Sequence, residues 1–167
     1  MKSFRPLWLL CFFLATIISC TKQDSIITND PPDNSAALNE TLMLQLVNEQ
    51  RQQGCNCGSV YYPPVPPLTW NNLLEDAALA HATDMYENNY FSHTGRDGSN
   101  AGDRINRTGY FWRAYGENIA KGYKTEQAVM DAWILSEGHC KNIMSSAFRE
   151  LGAAKVNNYW VQEFGSR

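Results

Sequence analysis

Apolar residues recur at helical spacing in three segments, and each segment carries signals for where a helix starts or ends. In the first, the apolar positions 38, 42, 43, 46 and 47 mark one face, and Gly54 ends the run. In the second, Asn72 with Glu75 three residues later suits a capped helix start. In the third, Thr125 can cap the apolar run that follows it. The pattern therefore predicts helices over residues 38–54, 71–89 and 126–136.

The other segments have no helical periodicity of this length. Four prolines within residues 63–67 exclude a helix, so residues 55–67 are predicted to form an extended loop. Residues 91–104 are rich in turn formers, and a short helical piece then reaches Gly109. Near the end of the chain, ELGAAKV and YWVQEFG flank Asn157-Asn158, a pair that tolerates the positive φ of a tight hairpin turn. Helices followed by a terminal hairpin predict an α+β domain.

The beginning of the chain has a different pattern, a charged start followed by a continuous apolar run. Lys2 and Arg5 precede LWLLCFFLATII, which is too short and wrongly flanked for a stable membrane span. These features predict a secretory signal peptide over residues 1–19. The signal closes on IISC, and a small residue before Cys20 resembles a bacterial lipobox. In this interpretation Cys20 carries acyl chains, and the alternative is ordinary cleavage nearby with a fully secreted product.

Three parts of the chain follow from these patterns. The signal peptide occupies residues 1–19, the lipidated Cys20 and a polar, Pro-containing flexible tether occupy residues 20–37, and the folded domain occupies residues 38–167. No later apolar stretch is long enough to span a bilayer, so we expect membrane attachment through the lipid anchor alone. The expected location is the cell envelope, either periplasmic or at the cell surface.

The charge of the exported chain bears on its partners. The full sequence has 14 Lys and Arg against 17 Asp and Glu. Removing residues 1–19 removes Lys2 and Arg5, which leaves 12 against 17 and a net charge of −5. An acidic chain without basic runs argues against nucleic acid as a partner. The sequence does not indicate an oligomeric state.

The cysteines bear on the redox chemistry of the domain. With Cys11 in the signal and Cys20 at the processing site, the exported domain keeps Cys55, Cys57 and Cys140. Outside the cytoplasm, three cysteines predict one disulfide and one remaining thiol.

Three histidines are candidates for a metal site. His81 lies on the apolar side of the second helix, which favours a core histidine bonded to its neighbours. His93 lies in the loop YFSHTG, and His139 follows Gly138 near a helix end. Neutral imidazole is a common ligand of zinc, and two histidines are the minimum for a metal pair. Glu117 and Glu137 could orient these imidazoles through their second nitrogens.

No familiar catalytic motif is present in the sequence. There is no HExxH and no G-x-S-x-G. Cys140 is adjacent to His139, but neighbours on a helix point about 100° apart, which does not favour a thiol-imidazole pair. We assign no catalytic residue from the sequence.

Several motifs, taken in order, resemble one family. They are VNEQR, LTWNNLLEDAALAHATDM, NYFSHTGRDGS, GENIAKGY, AWILSEGHCKNIM, LGAAKV and YWVQEFG. Together they are similar to the CAP superfamily, or SCP domain, which includes cysteine-rich secretory proteins, antigen 5 and plant pathogenesis-related proteins. GENIA and GHCKNIM are similar to its bacterial branch. The resemblance implies an α-β-α sandwich with a central groove.

The resemblance also implies which residues form the groove. Two histidines and two glutamates of the family correspond to His93, Glu117, Glu137 and His139, with His93 and His139 as the metal ligands. The implied cofactor is zinc or another divalent cation. One position departs from the eukaryotic motif, in which the second glutamate comes three residues after the tryptophan. Here Glu137 comes four residues after Trp133.

Structural roles follow from the same resemblance. It implies a Cys57–Cys140 disulfide, and Cys55, two residues away, remains the alternative partner. Asn48, Arg51 and Asn142 belong to the matching motifs, and we expect them to be structural polar residues, with Asn142 bonded to nearby backbone.

Three functions are compatible with these residues. The first is a binding module whose groove takes a divalent metal or an extended lipid, sterol or peptide ligand, as members of the family do. The second is a structural domain in which the four groove residues form a polar network that fixes loops. The third is a metal-dependent, peptidase-like hydrolase in which Glu117 or Glu137 serves as base. We rank binding first, structure second and hydrolysis third.

Overall fold

The computed structural model describes residues 37–167, so the signal peptide, Cys20 and nearly all of the predicted tether lie outside the described residues. The helices are α1 (Glu40–Gln53), α2 (Asn72–Glu87), α3 (Ala101–Arg107), α4 (Glu126–Leu135) and α5 (Glu137–Ile143). The strands are β1 (Cys55–Cys57), β2 (Val60–Tyr62), β3 (Thr69–Trp70), β4 (Ala114–Lys121), β5 (Glu150–Val156) and β6 (Tyr159–Ser166).

Side-chain caps start the three long helices. The Asn39 side chain accepts from the Leu42 amide at the start of α1, and Thr125 caps α4 as predicted. The predicted cap of α2 was wrong by one residue, because Asn71 is the N-cap and Asn72 is already helical. Glu75 does not close a capping box there, and its carboxylate accepts from the Trp70 indole at 2.9 Å.

Four strands form the main sheet in the order β3-β5-β6-β4. Strands β5 and β6 are the predicted hairpin, and Asn157 at their turn has a φ of 54°, which Asn tolerates better than most residues. β4 pairs antiparallel with β6 and occupies one edge of the sheet. In this register Glu117 of β4 stands opposite Glu163 of β6.

Helices cover both faces of this sheet, which confirms the α-β-α sandwich. On one face, Ala78, Ala82 and Met85 of α2 pack with residues of β4, β5 and β6. The other face packs against α1, α4 and α5 in a larger core that includes Trp133 and Trp160. Because alternate residues of a strand point to opposite faces, Glu117 and Glu163 share the α2 face with their buried apolar neighbours two positions away.

The segment predicted as an extended loop contains a short hairpin, because β1 pairs with β2 before the prolines begin. Gly58 at its turn has a φ of 63°. Cys57 of β1 forms a disulfide with Cys140 of α5, the pairing that the family resemblance implies. Closing a loop of this length stabilises the fold by about 4–5 kcal/mol in the chain-entropy model.

Candidate functional site

The candidate site lies at the free edge of β4, between the loop after α2 and the first turn of α5. Glu117 is its centre, and this side chain is almost wholly buried. One carboxylate oxygen lies 2.6 Å from His93 Nδ1, and the other lies 2.6 Å from Arg104 Nη2. A cation and a second donor engage both oxygens of this buried carboxylate, which favours its charged form.

Arg104 fixes the geometry around Glu117. Besides its ion pair, it donates to the carbonyl oxygens of His93 at 3.1 Å and Ser99 at 3.0 Å. The side chain of Arg104 is 6% exposed. One guanidinium therefore holds the carboxylate and the loop that carries His93 in a single arrangement.

His93 is the exposed member of this network, with 59% of its side chain accessible to solvent. A carboxylate accepts only, so the contact with Glu117 places the ring proton on Nδ1 when the imidazole is neutral. The lone pair is then on Nε2. This is the arrangement in which a carboxylate sets the tautomer of a metal-binding histidine.

His139 reaches the site from α5. Asn142 anchors this helix to β4 by donating to the Glu117 carbonyl at 3.0 Å and to Asn118 Oδ1 at 2.9 Å. Asn118 in turn donates to the His139 carbonyl at 3.2 Å. Burial lowers the pKa of His139, and the nearby charge of His93 lowers it further, so the neutral imidazole is favoured.

The structure places Glu137 differently from the other three residues of the implied tetrad. Its side chain is exposed and pairs with Lys141 one helical turn later, at 2.5 Å. This Lys141 contact lowers the pKa of Glu137. The carboxylate also lies against Gly58, where a Cβ atom would come within 2.7 Å of it. Within residues 37–167, no hydrogen bond or ion pair joins Glu137 to His93, Glu117 or His139.

Arg104 and Glu163 belong to the site as well, and the sequence patterns did not indicate their roles. Glu163 is fully buried, and neither carboxylate oxygen has a hydrogen-bond donor. Burial, and then the charge of Glu117 opposite, raise the pKa of Glu163 well above its usual value. The physically consistent state is a protonated Glu163 that donates to an ionised Glu117. A glutamate on the buried face of YWVQEFG was the signal that could have found it.

The pKa of Glu117 is shifted in the opposite direction from that of Glu163. Burial acts to raise its pKa, but the His93 hydrogen bond and the charges of Arg104 and His81 outweigh burial, and the pKa lies below the usual value. His81 is buried beneath the network, as expected of a core histidine. Its Nε2 lies 2.9 Å from the Ser92 carbonyl and 3.7 Å from a Glu117 oxygen. Burial lowers the pKa of His81.

Asn48, Arg51 and Asn142 were expected to be structural, and each forms hydrogen bonds with backbone groups. Asn48 donates to the Leu68 carbonyl at 2.9 Å and accepts from the Leu68 amide at 2.8 Å. Arg51 is fully buried and donates to three carbonyl oxygens, those of Pro66, Ile143 and Ser145. Arg51 thus connects α1 to the C-terminal end of α5, the helix that contains His139.

Cysteine sulphurs form a separate group. Within residues 37–167, one group of at least three His, Cys, Asp or Glu side chains has ligand atoms that all lie within 4.8 Å of one another. This group consists of Cys55, Cys57 and Cys140. The groove therefore offers a metal at most two closely placed protein ligands at a time. Cys55 is the free cysteine, and its sulphur lies 3.5 Å from that of Cys140. Burial raises the pKa of the Cys55 thiol.

Comparison with known proteins agrees with this fold. The sequence pattern of the Cysteine-rich secretory protein family, CAP, matches residues 44–164. The chain therefore belongs to this family.

Three bacterial proteins illustrate the similarity. The Bacillus subtilis protein YkwD is 33% identical over 147 residues, which cover 86% of this chain and 53% of YkwD. An extracellular protein containing a SCP domain from Bacillus anthracis superposes with a TM-score of 0.68 at 30% identity, over 77% of this chain and 40% of that one. An outer surface protein of Borrelia burgdorferi shares the fold, with a TM-score of 0.65 at 21% identity, over 76% of this chain and 91% of that one.

The chain thus spans about half the length of YkwD and less than half of the Bacillus anthracis protein. Within residues 37–167, no helix combines the length and the apolar character needed to cross a bilayer.

Proposed function

We propose that this protein is an extracytoplasmic binding module, attached to the cell envelope through a lipid on Cys20, whose groove binds a divalent cation between His93 and His139. The observation that carries the proposal is the 2.6 Å contact between His93 Nδ1 and Glu117. It fixes the tautomer that leaves Nε2 of an exposed imidazole able to donate a lone pair. Zinc is the cation that this chemistry favours first, because imidazole suits it and it needs no redox partner.

The chemistry of His93 and His139 suits a divalent cation bound by two imidazoles. His139 is favoured as a neutral imidazole by its burial, and only a neutral imidazole has a lone pair to donate. Glu117 already uses both oxygens on His93 and Arg104, so it orients a ligand and does not itself serve as one. A bound zinc ion would supply a Lewis-acidic centre with open positions for a donor group of a second ligand.

An extended lipid, sterol or peptide remains the proposed class of that second ligand. The exposed His93 and the half-buried His139 lie beside the free edge of β4, where the family resemblance implies the groove. This edge is bounded on one side by the loop and on the other by α5. We propose that an extended ligand lies along this edge in contact with both imidazoles.

A structural role is the second candidate, and the contacts of Arg104 favour it. Arg104 joins α3, the loop and β4 through bonds that a purely structural network would also use. Hydrolysis has less support. A general base needs a free oxygen, and both oxygens of Glu117 are engaged, while Glu137 pairs with Lys141.

Calorimetric zinc titration distinguishes the first two candidates. We expect the wild type to bind one zinc ion and His93→Ala to bind it at least about tenfold more weakly. Glu137→Gln is the matched control, because Glu137 makes its contacts outside the network, and its affinity should equal that of the wild type. If the wild type shows neither binding heat nor a zinc-dependent rise in its thermal unfolding midpoint, the zinc proposal is contradicted. The network of His93, Glu117 and Arg104 then has a structural role.

A further inference from the structure

Three cysteine sulphurs converge between β1 and α5, and the groove does not use them. We call Cys55, Cys57 and Cys140 the three-sulphur cluster. Cys55 and Cys57 lie two positions apart on β1, so their side chains leave the strand on the same face. Cys140 reaches that face from α5. All three sulphurs lie within 4.8 Å of one another.

A single disulfide does not account for this convergence. The bond between Cys57 and Cys140 needs only two of the residues, yet the third sulphur lies 3.5 Å from Cys140. Sulphurs that bind the same tetrahedral zinc ion at 2.3 Å are about 3.8 Å apart. The Cys55–Cys140 separation of 3.5 Å is already close to this value. Cys57 and Cys140 are closer only because they are bonded, and reduction of that bond frees the two sulphurs to separate to the distance of a thiolate metal site.

We propose that the three-sulphur cluster is a redox-controlled site for a soft, thiophilic d¹⁰ cation such as Zn²⁺ or Cu⁺, closed while Cys57 and Cys140 are joined and open when they are reduced. Thiolates select soft cations over Ca²⁺ or Mg²⁺. A protein or small-molecule dithiol would supply the electrons. The Cys57–Cys140 bond breaks, each sulphur gains a hydrogen, and the reductant becomes a disulfide. The three thiols then release their protons to solvent as the cation binds.

The three sulphurs differ in their access to solvent. Cys57 and Cys140 are fully buried, whereas Cys55 is partly exposed. A cation or reductant therefore reaches the cluster from the side of Cys55. Asn56, the residue between the two β1 cysteines, is exposed, and its side chain leaves the opposite face of the strand. It therefore does not supply a fourth ligand. Three thiolates with one outward position define a site that retains a water or small anion as its fourth ligand.

Cadmium is the probe that tests this directly, because its binding to thiolates gives a charge-transfer absorption band. All samples are the full-length protein with Cys11 and Cys20 replaced by Ser, so that Cys55, Cys57 and Cys140 are the only cysteines. This background, with the cluster unchanged, serves as the wild type here. It is titrated with Cd²⁺ in its oxidised form, and again after reduction and anaerobic removal of the reductant. The reduced wild type should bind one equivalent with the thiolate band. The oxidised form, with a single thiol, should bind at least about tenfold more weakly.

Variants assign the band to the cluster. Cys55→Ser should weaken binding to the reduced protein at least about tenfold, while Asn56→Ser, between the two cysteines, should leave it unchanged. The double variant His93→Ala/His139→Ala should keep the band, which separates this site from the groove and from the proposed function. The proposal is overturned if the reduced wild type gives no band, or if Cys55→Ser binds like the wild type.

The fold of the reduced protein is followed by near-UV circular dichroism in the same samples. We expect a native spectrum, and a thermal midpoint of the reduced protein that rises when Cd²⁺ is added, because binding to the folded state stabilises it. A band that appears only together with loss of the native spectrum would mean capture by an unfolded chain, and that also overturns the proposal.

Discussion

Glu117 and Glu163 stand directly opposite each other on β4 and β6, and only one of them can be ionised. Glu117 has two donors, His93 and Arg104, whereas the oxygens of Glu163 have none. The proton therefore resides on Glu163, and the pair carries a single negative charge that Arg104 balances. Glu117, Glu163 and Arg104 together are then electrically neutral.

Replacing Glu163 by Gln tests this assignment through the pH dependence of stability. The raised pKa means that folded Glu163 keeps a proton which the unfolded chain loses above about pH 4.3. Wild-type stability from this group therefore falls as pH rises, by up to about 1.4 kcal/mol per pH unit, until pH passes the folded pKa. Glutamine is neutral throughout and can donate to Glu117 in the same way.

We therefore expect Glu163→Gln to gain stability relative to the wild type between pH 5 and pH 7. Denaturant unfolding at several pH values measures the difference. The comparison stays above pH 5 because Glu117, with its lowered pKa, loses its own stabilising contribution as pH falls below its unfolded value. A difference that does not change with pH would place the proton elsewhere.

Removing Arg104 should cost much more stability than removing a cation of a surface ion pair. Arg104→Met leaves Glu117 buried without its positive partner and frees the carbonyls of His93 and Ser99. Losing one partner of a buried ion pair costs about 3–5 kcal/mol. The matched control is Arg107→Met, since Arg107 pairs with Asp97 on the surface at 2.6 Å. That exposed pair is worth about 1 kcal/mol or less, and equal losses in urea unfolding would contradict the assignment.

The disulfide predicts an asymmetry between its two cysteines. Cys140→Ser removes the bridge, and such losses cost about 2–5 kcal/mol in small secreted domains. Cys57→Ser should cost less, because Cys55 lies close enough to Cys140 to form a replacement bond. Peptide mapping without reduction should find Cys57 linked to Cys140 in the wild type and Cys55 linked to Cys140 in Cys57→Ser. Three free thiols in the wild type, or equal stability losses, would contradict this.

Anchoring is tested separately, since Cys20 lies outside the described residues. If IISC is a lipobox, Cys20→Ser should release the protein from the membrane fraction or block its processing. Fractionation and lipid labelling measure both effects, with Cys55→Ser as a control that keeps Cys20. Unchanged labelling and fractionation in Cys20→Ser would favour ordinary cleavage and secretion.

The periodic parts of this fold were predictable from sequence. The helices that became α1, α2 and α4 and the hairpin of β5 and β6 each carry a repeat long enough to define them, together with a cap or turn residue. β1, β3 and α5 are short, and β4 lacks a clean alternation of apolar and polar residues. Local sequence cannot define β4, because its pairing with β6 comes from residues more than thirty positions away.

The site was predictable only in part, for a related reason. Motif order identified His93, Glu117 and His139 through the family resemblance, but spacing alone could not bring them together. Glu163 was missed because the motif YWVQEFG, which contains it, does not show which strand lies beside it. Its importance arises from cross-strand register and complete burial, which are properties of the folded chain. The side-chain direction of Glu137 depends in the same way on where α5 begins.

Zinc affinity as a function of pH tests the central claim, that His93 and His139 bind a divalent cation together. Both imidazoles must be neutral to bind, because a protonated imidazole has no free lone pair. Burial lowers the pKa of His139, so protons compete with zinc for this residue below the usual imidazole value. Calorimetric titrations from pH 5.5 to pH 8 on the wild type should show one site whose affinity falls as pH is lowered. Glu117→Gln should weaken binding less than His93→Ala or His139→Ala does. Zinc binding that is independent of pH, or that survives the loss of both histidines, would contradict the account.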